Sequence, residues 1–150
     1  MNTPQWIFMT PPLNGILSEE IASILRKTTG EHLIGERIGM LPLAENGIIL
    51  LKIKDNIEGA LLWMKTDQRT ARVLGFGIHP ELQGKGLGSK CWNIFTEEII
   101  RQGMKNITLE VRKSNEKAIN FYRRRGLIAK GWIEDYYLNE KGVLMELSLI

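Results

Sequence analysis

The sequence predicts an α/β domain built on a mixed, mostly antiparallel sheet with helices on both faces. Two observations carry this expectation. Three strand-like runs follow one another with very short turns between them, which requires antiparallel neighbours. Beyond them, helical and strand-like periodicities alternate, which reads as a mixed sheet with helices on its faces.

In chain order, a short strand is expected over residues 5–10, closed by Pro11 and Pro12. Residues 18–27 follow with a polar cap at Ser18, the pair Glu19 and Glu20, and Ile21, Ile24 and Leu25 at amphipathic helical spacing. Gly30 is expected to end this helix. Residues 31–46, broken by Gly35, Gly39 and Pro42, read as a short second helix and a loop. Strands are expected over 47–53, 58–65 and 71–78, joined by Lys54-Asp55-Asn56 and Thr66-Asp67-Gln68. After Pro80 comes a glycine-rich stretch over 83–88, then a helix to about Gln102 with Trp92, Phe95 and Ile99 on one face. A buried strand is expected over 106–111. A second amphipathic helix over 115–125 places Ala118, Ile119 and Tyr122 on one side and Gly126 at its C-cap. Strands over 127–132 and 143–149 complete the order β-α-(α)-β-β-β-α-β-α-β-β, read as one domain over residues 1–150.

A chain of 150 residues is long enough to bury a core without disulfides or metals. Its hydrophobic fraction of 43% and charged fraction of 25% are those of ordinary globular domains. A formal charge of +3 is small and scattered, which argues against nucleic acid while favouring a small anionic ligand. Cys91 is the one cysteine, so no internal disulfide forms, and its place among apolar helical residues marks it as a packed hydrophobe. No apolar run approaches the ~20 residues a membrane span needs. The expectation is a cytoplasmic protein without membrane attachment, and no metal-ligand cluster is apparent.

The chemistry concentrates in the stretch from Ile78 through His79 and Pro80 to Lys90. Gly84, Gly86 and Gly88 let the backbone approach a ligand closely, and the helix that starts there offers unpaired N–H groups at its positive end. Such an arrangement binds phosphates, and Lys85 and Lys90 add positive charge. A Walker loop is excluded, because the position that should hold its first glycine is His79 and the residue after Lys85 is Gly86. A dinucleotide fingerprint on Gly84, Gly86 and Ser89, with Glu110 as ribose ligand, is weak: Ser89 stands where a third glycine belongs, and the preceding strands are antiparallel.

Two motifs in order, Gln83-Gly84-Lys85-Gly86-Leu87-Gly88 and the downstream Asn115-Glu116-Lys117-Ala118-Ile119-Asn120-Phe121-Tyr122, resemble those of the GNAT (GCN5-related N-acetyltransferase) superfamily. The likeness covers residues 47–150, whereas the first third of the chain matches only in element order. It implies an acetyltransferase that moves an acetyl or acyl group from acetyl-CoA to a primary amine by direct attack in a ternary complex. Under this resemblance Phe76, Gly77 and Ile78 would run beside the pantetheine arm. Gln83, Gly84, Lys85, Gly86, Leu87, Gly88 and Ser89 would wrap the pyrophosphate. Asn115 would bond to the pantetheine portion, while Phe121 and Tyr122 would approach the thioester.

The reaction needs a base for the attacking amine and an acid for the departing thiolate. Tyr122, with an intrinsic pKa of about 10, is the candidate acid. Glu110 is the candidate base, since the stretch from Leu109 to Tyr122 resembles that of ribosomal-protein alanine N-acetyltransferases, where the matching glutamate has that duty. A carboxylate with an ordinary pKa of about 4.3 would need a relaying water or a raised pKa. The Ile78 N–H is a candidate oxyanion donor. Each residue also has a plainer reading. Tyr122 could be a core aromatic, Glu110 the partner of a nearby cation, and the run Arg123-Arg124-Arg125 a solvated helix end rather than a contact for the coenzyme's nucleotide phosphate. The acceptor is expected to be a peptide or protein N-terminus or a small-molecule amine, with a homodimer as the assembly to test. A non-catalytic acyl-CoA-binding module is the rival.

Overall fold

The computed structural model describes residues 3–29, 35–137 and 140–149. Its elements are β1 (Gln5–Met9), α1 (Gly15–Thr29), α2 (Gly35–Met40), β2 (Ile48–Ile53), β3 (Asn56–Lys65), β4 (Thr70–Ile78), α3 (Leu87–Arg101), β5 (Asn106–Arg112), α4 (Glu116–Arg124), β6 (Ile128–Tyr137) and β7 (Glu140–Ser148). The strands form one seven-stranded sheet in the order β1-β2-β3-β4-β5-β7-β6. Only β4 and β5 pair in parallel, and every other neighbour is antiparallel. This is the mixed α/β sheet that the run of short turns and the later alternation imply.

Strand alternation sends side chains to two separate cores. On one face Ile48, Leu50, Ala60 and Leu62 meet Ile21, Ile24 and Leu25 of α1 and Ile38 of α2. On the other, Ile49, Leu61, Trp63, Val73, Leu109 and Met145 meet Cys91, Trp92, Phe95 and Ile99 of α3 and Tyr122 of α4. Full burial of each large apolar side chain contributes roughly 1.5–3 kcal/mol, so these layers hold the helices to the sheet.

Several boundaries differ from expectation for local reasons. α1 begins at Gly15 rather than Ser18, because Asn14 Oδ1 accepts from the Leu17 N–H at 2.8 Å and serves as the cap. Ser18 is buried inside the helix instead. The β2–β3 hairpin turns on two residues, Lys54 and Asp55, both at positive φ, so Asn56 already belongs to β3. β6 and β7 reach Tyr137 and Glu140, well beyond the expected ends, because their pairing continues past Ile133 through an irregular register. Gly30, expected to end α1, lies outside the described residues, as do positions 31–34 of the stretch read as a short helix and loop; within that stretch α2 forms. Gly126 stands at φ 95 after α4, where the Leu127 N–H reaches back to the Tyr122 carbonyl, as a C-cap glycine should.

Candidate active site

A cleft forms where the single parallel pair comes apart. β4 and β5 are registered only from Thr70 opposite Asn106 to Val73 opposite Leu109. Past that point β4 stays with β3 while β5 stays with β7, leaving a wedge between them. The His79 N–H donates to the Glu58 carbonyl on β3, so the alternation of an antiparallel ladder turns the Ile78 N–H and C=O the other way, into the wedge. The Ile78 carbonyl is taken by Gln83 Nε2 at 3.0 Å, which ties the glycine loop to the strand it leaves.

That loop works through two different uses of glycine. Gly84 and Gly86 lie at φ 82 and 79, in the left-handed region, and a Cβ on either would meet nothing within 4 Å. Gly86 is the N-cap of α3 and no side chain caps the helix, so the N–H groups of its first turn are left for a ligand. Gly88 serves packing instead: a Cβ there would sit 3.4 Å from Cε2 of Phe121 on α4.

α4 forms the opposite wall. Its cap is Asn115, whose Oδ1 accepts from the Ala118 N–H at 3.1 Å. The turn before it is anchored to β7 by the Ser114 N–H and hydroxyl, which both donate to Glu140. Phe121 stacks edge-on against Phe76 and Trp92 across the cleft floor. Tyr122 is 7% exposed and packs against Trp92 at 5.6 Å between centroids.

The cleft measures about 470 Å³, within the usual size for small-molecule sites. Phe76, Gly77 and Ile78 line one wall, Gln83, Gly84, Gly86, Gly88 and Ser89 its end, and Asn115, Phe121 and Tyr122 the other wall. Lys85 and Leu87, read from the sequence as part of the pyrophosphate loop, are not among the lining residues. The lining also contains Thr28 and Thr29 at the end of α1, Lys117, and the pair Arg124 and Arg125. For Thr28 and Thr29 no local pattern gave a signal. Gly77 lets α1 come this close, since a Cβ on it would fall 1.8 Å from Thr28 Oγ1.

Glu110 does not line this cleft but a smaller adjoining cavity, shared with Phe76, Asn115, Thr29 and Tyr122. Its carboxylate is paired with Arg72 of β4, Oε2 accepting from Nε at 3.2 Å and Oε1 standing 3.1 Å from NH2. Arg72 also donates to the Tyr136 hydroxyl at 2.9 Å. Tyr136 reaches over because Gly142 of β7 leaves room: a Cβ there would be 2.9 Å from the tyrosine ring. Cys91 is fully buried outside the cleft and burial pushes its thiol up to about 12, so it supplies no thiolate near neutral pH. His79 caps the turn at Pro80–Leu82 through Nδ1. Trp63 is a fully buried core residue whose Nε1 donates to the Asn46 carbonyl at 3.1 Å. Among the described residues no group of three His, Cys, Asp or Glu side chains could hold a metal, and no helix is long and apolar enough to cross a membrane.

The model of the acetyltransferase (GNAT) family matches residues 19–127. The chain belongs to this family. Solved structures share its fold, two of those described below along nearly the whole chain. Ard1 from Thermoplasma volcanium is 19% identical with a TM-score of 0.88, covering 98% of each chain. The ribosomal-protein-S18-alanine N-acetyltransferase of Escherichia coli is 18% identical with a TM-score of 0.80, over 99% of this chain and 94% of that one. Naa50 of Arabidopsis thaliana, in complex with the bisubstrate analogue CoA-Ac-MVNAL, is 26% identical with a TM-score of 0.61, over 67% of this chain and 72% of its own. No curated protein sequence matches significantly. As a GNAT acetyltransferase the protein uses acetyl-CoA as co-substrate.

Proposed function

We propose that the cleft holds acetyl-CoA with its pyrophosphate on the glycine loop and its thioester beside Tyr122, and that the acceptor is the N-terminal amine of a peptide or protein. The observation that carries this reading is the position of Tyr122, which borders both the main cleft and the adjoining cavity that contains Glu110. An acid and a base on two sides of one thioester are what direct transfer requires.

In this mechanism the neutral amine attacks the thioester carbonyl, whose oxygen gathers negative charge and is met by the Ile78 N–H. The carbon–sulfur bond then breaks. The departing thiolate takes the phenolic proton of Tyr122, and the proton lost by nitrogen passes through water to Glu110. Arg72 holds the Glu110 carboxylate in place through paired contacts to both of its oxygens. The peptide acceptor is supported by the Naa50 complex, whose analogue joins coenzyme A to a peptide.

The test is release of free thiol from acetyl-CoA with a panel of peptides, lysine derivatives and small amines. Peptides with free N-termini should be the best substrates, and Tyr122→Phe should reduce turnover about 10²–10⁴-fold with little change in coenzyme affinity. Near-full turnover in Tyr122→Phe would remove the proposed acid. Faster transfer to small amines than to any peptide would remove the proposed acceptor.

A further inference from the structure

Among the described residues, half of the sheet has one face that no helix covers. The core beneath α1 and α2 draws its strand residues from β1 to β4 and none from β5, β6 or β7. Ile107 and Leu109 of β5 and Met145 and Leu147 of β7 turn to the side of α3 and α4. Alternation therefore sends Asn106, Thr108, Glu110, Glu146 and Ser148 to the uncovered face. The register sets them in rows. Arg72, Thr108, Glu146 and Ile128 lie side by side across four strands, with Thr70, Asn106 and Ser148 in the next row. A cavity of about 520 Å³ opens over both rows and is lined by all of these residues except Arg72.

Its polar lining is largely unsatisfied. Asn106, Thr108 and Ser148 make no side-chain hydrogen bond among the described residues, and the half-buried Glu146 carboxylate enters no hydrogen bond or ion pair. Lys130, on the far rim, sits at the register shift of edge strand β6 and is not paired with it. Arg72, in the same row, is already engaged by Glu110 and Tyr136. Glu146 is thus a carboxylate on the floor of a polar groove with no counter-charge, and a cation brought from outside would supply one.

We propose that a polypeptide acceptor continues from Glu110 onto this face and that Glu146 selects a cationic side chain at its third or fourth residue. The inference rests on the reading of Glu110 as the base and of the acceptor as a peptide. Glu110 and Thr108 share one strand and one face, and Glu146 lies on the next strand opposite Thr108. At about 3.3 Å per residue along a strand and about 4.8 Å between strands, the backbone positions of Glu110 and Glu146 are about 8 Å apart. An extended chain covers that distance in two to three residues. The unpaired groups of Asn106 and Thr108 are placed to bond to its backbone, and Ile128, 61% exposed, offers an apolar contact at the edge.

Competition between two peptide pools in one reaction with acetyl-CoA, read by mass spectrometry, gives the ratio of their kcat/KM values. Both pools carry mixed residues other than lysine at the first two positions, followed by two arginines in one pool and two glutamates in the other. The wild-type protein should acetylate the arginine pool about 3–10-fold faster, the range for one or two screened charge contacts, and high salt should shrink the preference. Glu146→Gln should bring the ratio to within about twofold of unity, and Glu146→Lys should turn it toward the glutamate pool. Each ratio is internal to one enzyme, so a loss of coenzyme binding or of folded protein cancels; should Glu146→Lys fail to fold, Glu146→Gln decides alone. Equal use of both pools by the wild type, or a preference that survives the substitution of Glu146, would overturn the proposal. A Glu146→Lys protein that changes mass in light scattering while keeping its preference would give the face to a second copy of the chain, which also overturns it. If neither pool is acetylated while a small amine is, the peptide reading fails and this one with it. If peptides are the better substrates but their ratio ignores Glu146, this one alone fails.

Discussion

Replacing Gly86 with valine isolates what the glycine loop does, because the structure separates the cost to folding from the cost to binding. Gly86 sits at φ 79, and a Cβ there would touch nothing within 4 Å. No neighbouring atom need move, so the folding cost is confined to forcing an L-residue into the left-handed region, about 1–2 kcal/mol. For a domain of this size that corresponds to a fall in Tm of roughly 2–8 °C. Gly86 lines the cleft as the N-cap of α3, so the new side chain stands at the edge of the first-turn amides that a ligand would use. Losing one or two charge-assisted hydrogen bonds from those amides costs about 1.5–3 kcal/mol, so the Kd for acetyl-CoA should rise about 10–100-fold. Calorimetric titration gives the affinity and a thermal melt followed by circular dichroism gives the stability. Gly88→Ala is the internal contrast, since its Cβ would press on the Phe121 ring at 3.4 Å. Its effect should pass through the position of α4 and be smaller on affinity. A folded Gly86→Val protein whose Kd lies within about threefold of wild type would show that the loop does not touch the coenzyme, whatever the family motif implies.

Glu110→Gln should reduce transfer most at low pH, where the acceptor amine is protonated, and more for lysine amines (pKa about 10.4) than for N-terminal amines (about 8); an unchanged pH–rate profile would make Glu110 a purely structural partner of Arg72. Glu98 is buried and bonded first to Arg101 and then to Gln102 and Asn46, which together hold its carboxyl down to about 2. Its folded value lies below the unfolded one, so its contribution is complete above about pH 4.5 and is lost as pH falls toward 2. Glu98→Gln should therefore lower stability by about 1–3 kcal/mol at pH 7 and by much less near pH 2, as read from urea melts at both values. Gly77→Ala should destabilise by about 1–3 kcal/mol through its clash with Thr28, and Thr28→Gly should recover most of that loss. A double-mutant cycle showing no coupling between the two positions would contradict the close seat of α1 on β4.

What could be read from the sequence was what is local. Periodicity and turn residues gave the order of helices and strands seen among the described residues, and Gly126 stands at the positive φ that its C-cap place implied. The cap of α1 was misplaced because Ser18 and Asn14 are both good caps and only packing decides between them; Ser18 faces the core and Asn14 is free to turn back. The turn at Lys54 and Asp55 carries no glycine, so its two-residue form was hidden. The surroundings of Glu110 were out of reach because its partners lie far away along the chain. Glu110 was visible as a strand residue, but its pairing with Arg72 joins positions 38 residues apart, and the bond from Arg72 to Tyr136 spans 64. Nothing in a local window announces such contacts. Arg125 read as one of three cations ending a helix; that it stacks on Phe121 and reaches Ser89 follows only once α3 and α4 lie side by side.

The parallel join between β4 and β5 has a consequence beyond making room. Four residue pairs are all that sew the four-stranded half-sheet of β1 to β4 onto the three-stranded half-sheet of β5 to β7. The rest of the seam is closed by side chains of α3 and α4. A molecule lodged in the wedge, touching β4 on one side and α4 on the other, acts as a rivet between the two halves. Its binding energy then becomes part of what keeps them together, and amide exchange along the open margins of β4 and β5 should slow when the rivet is in place.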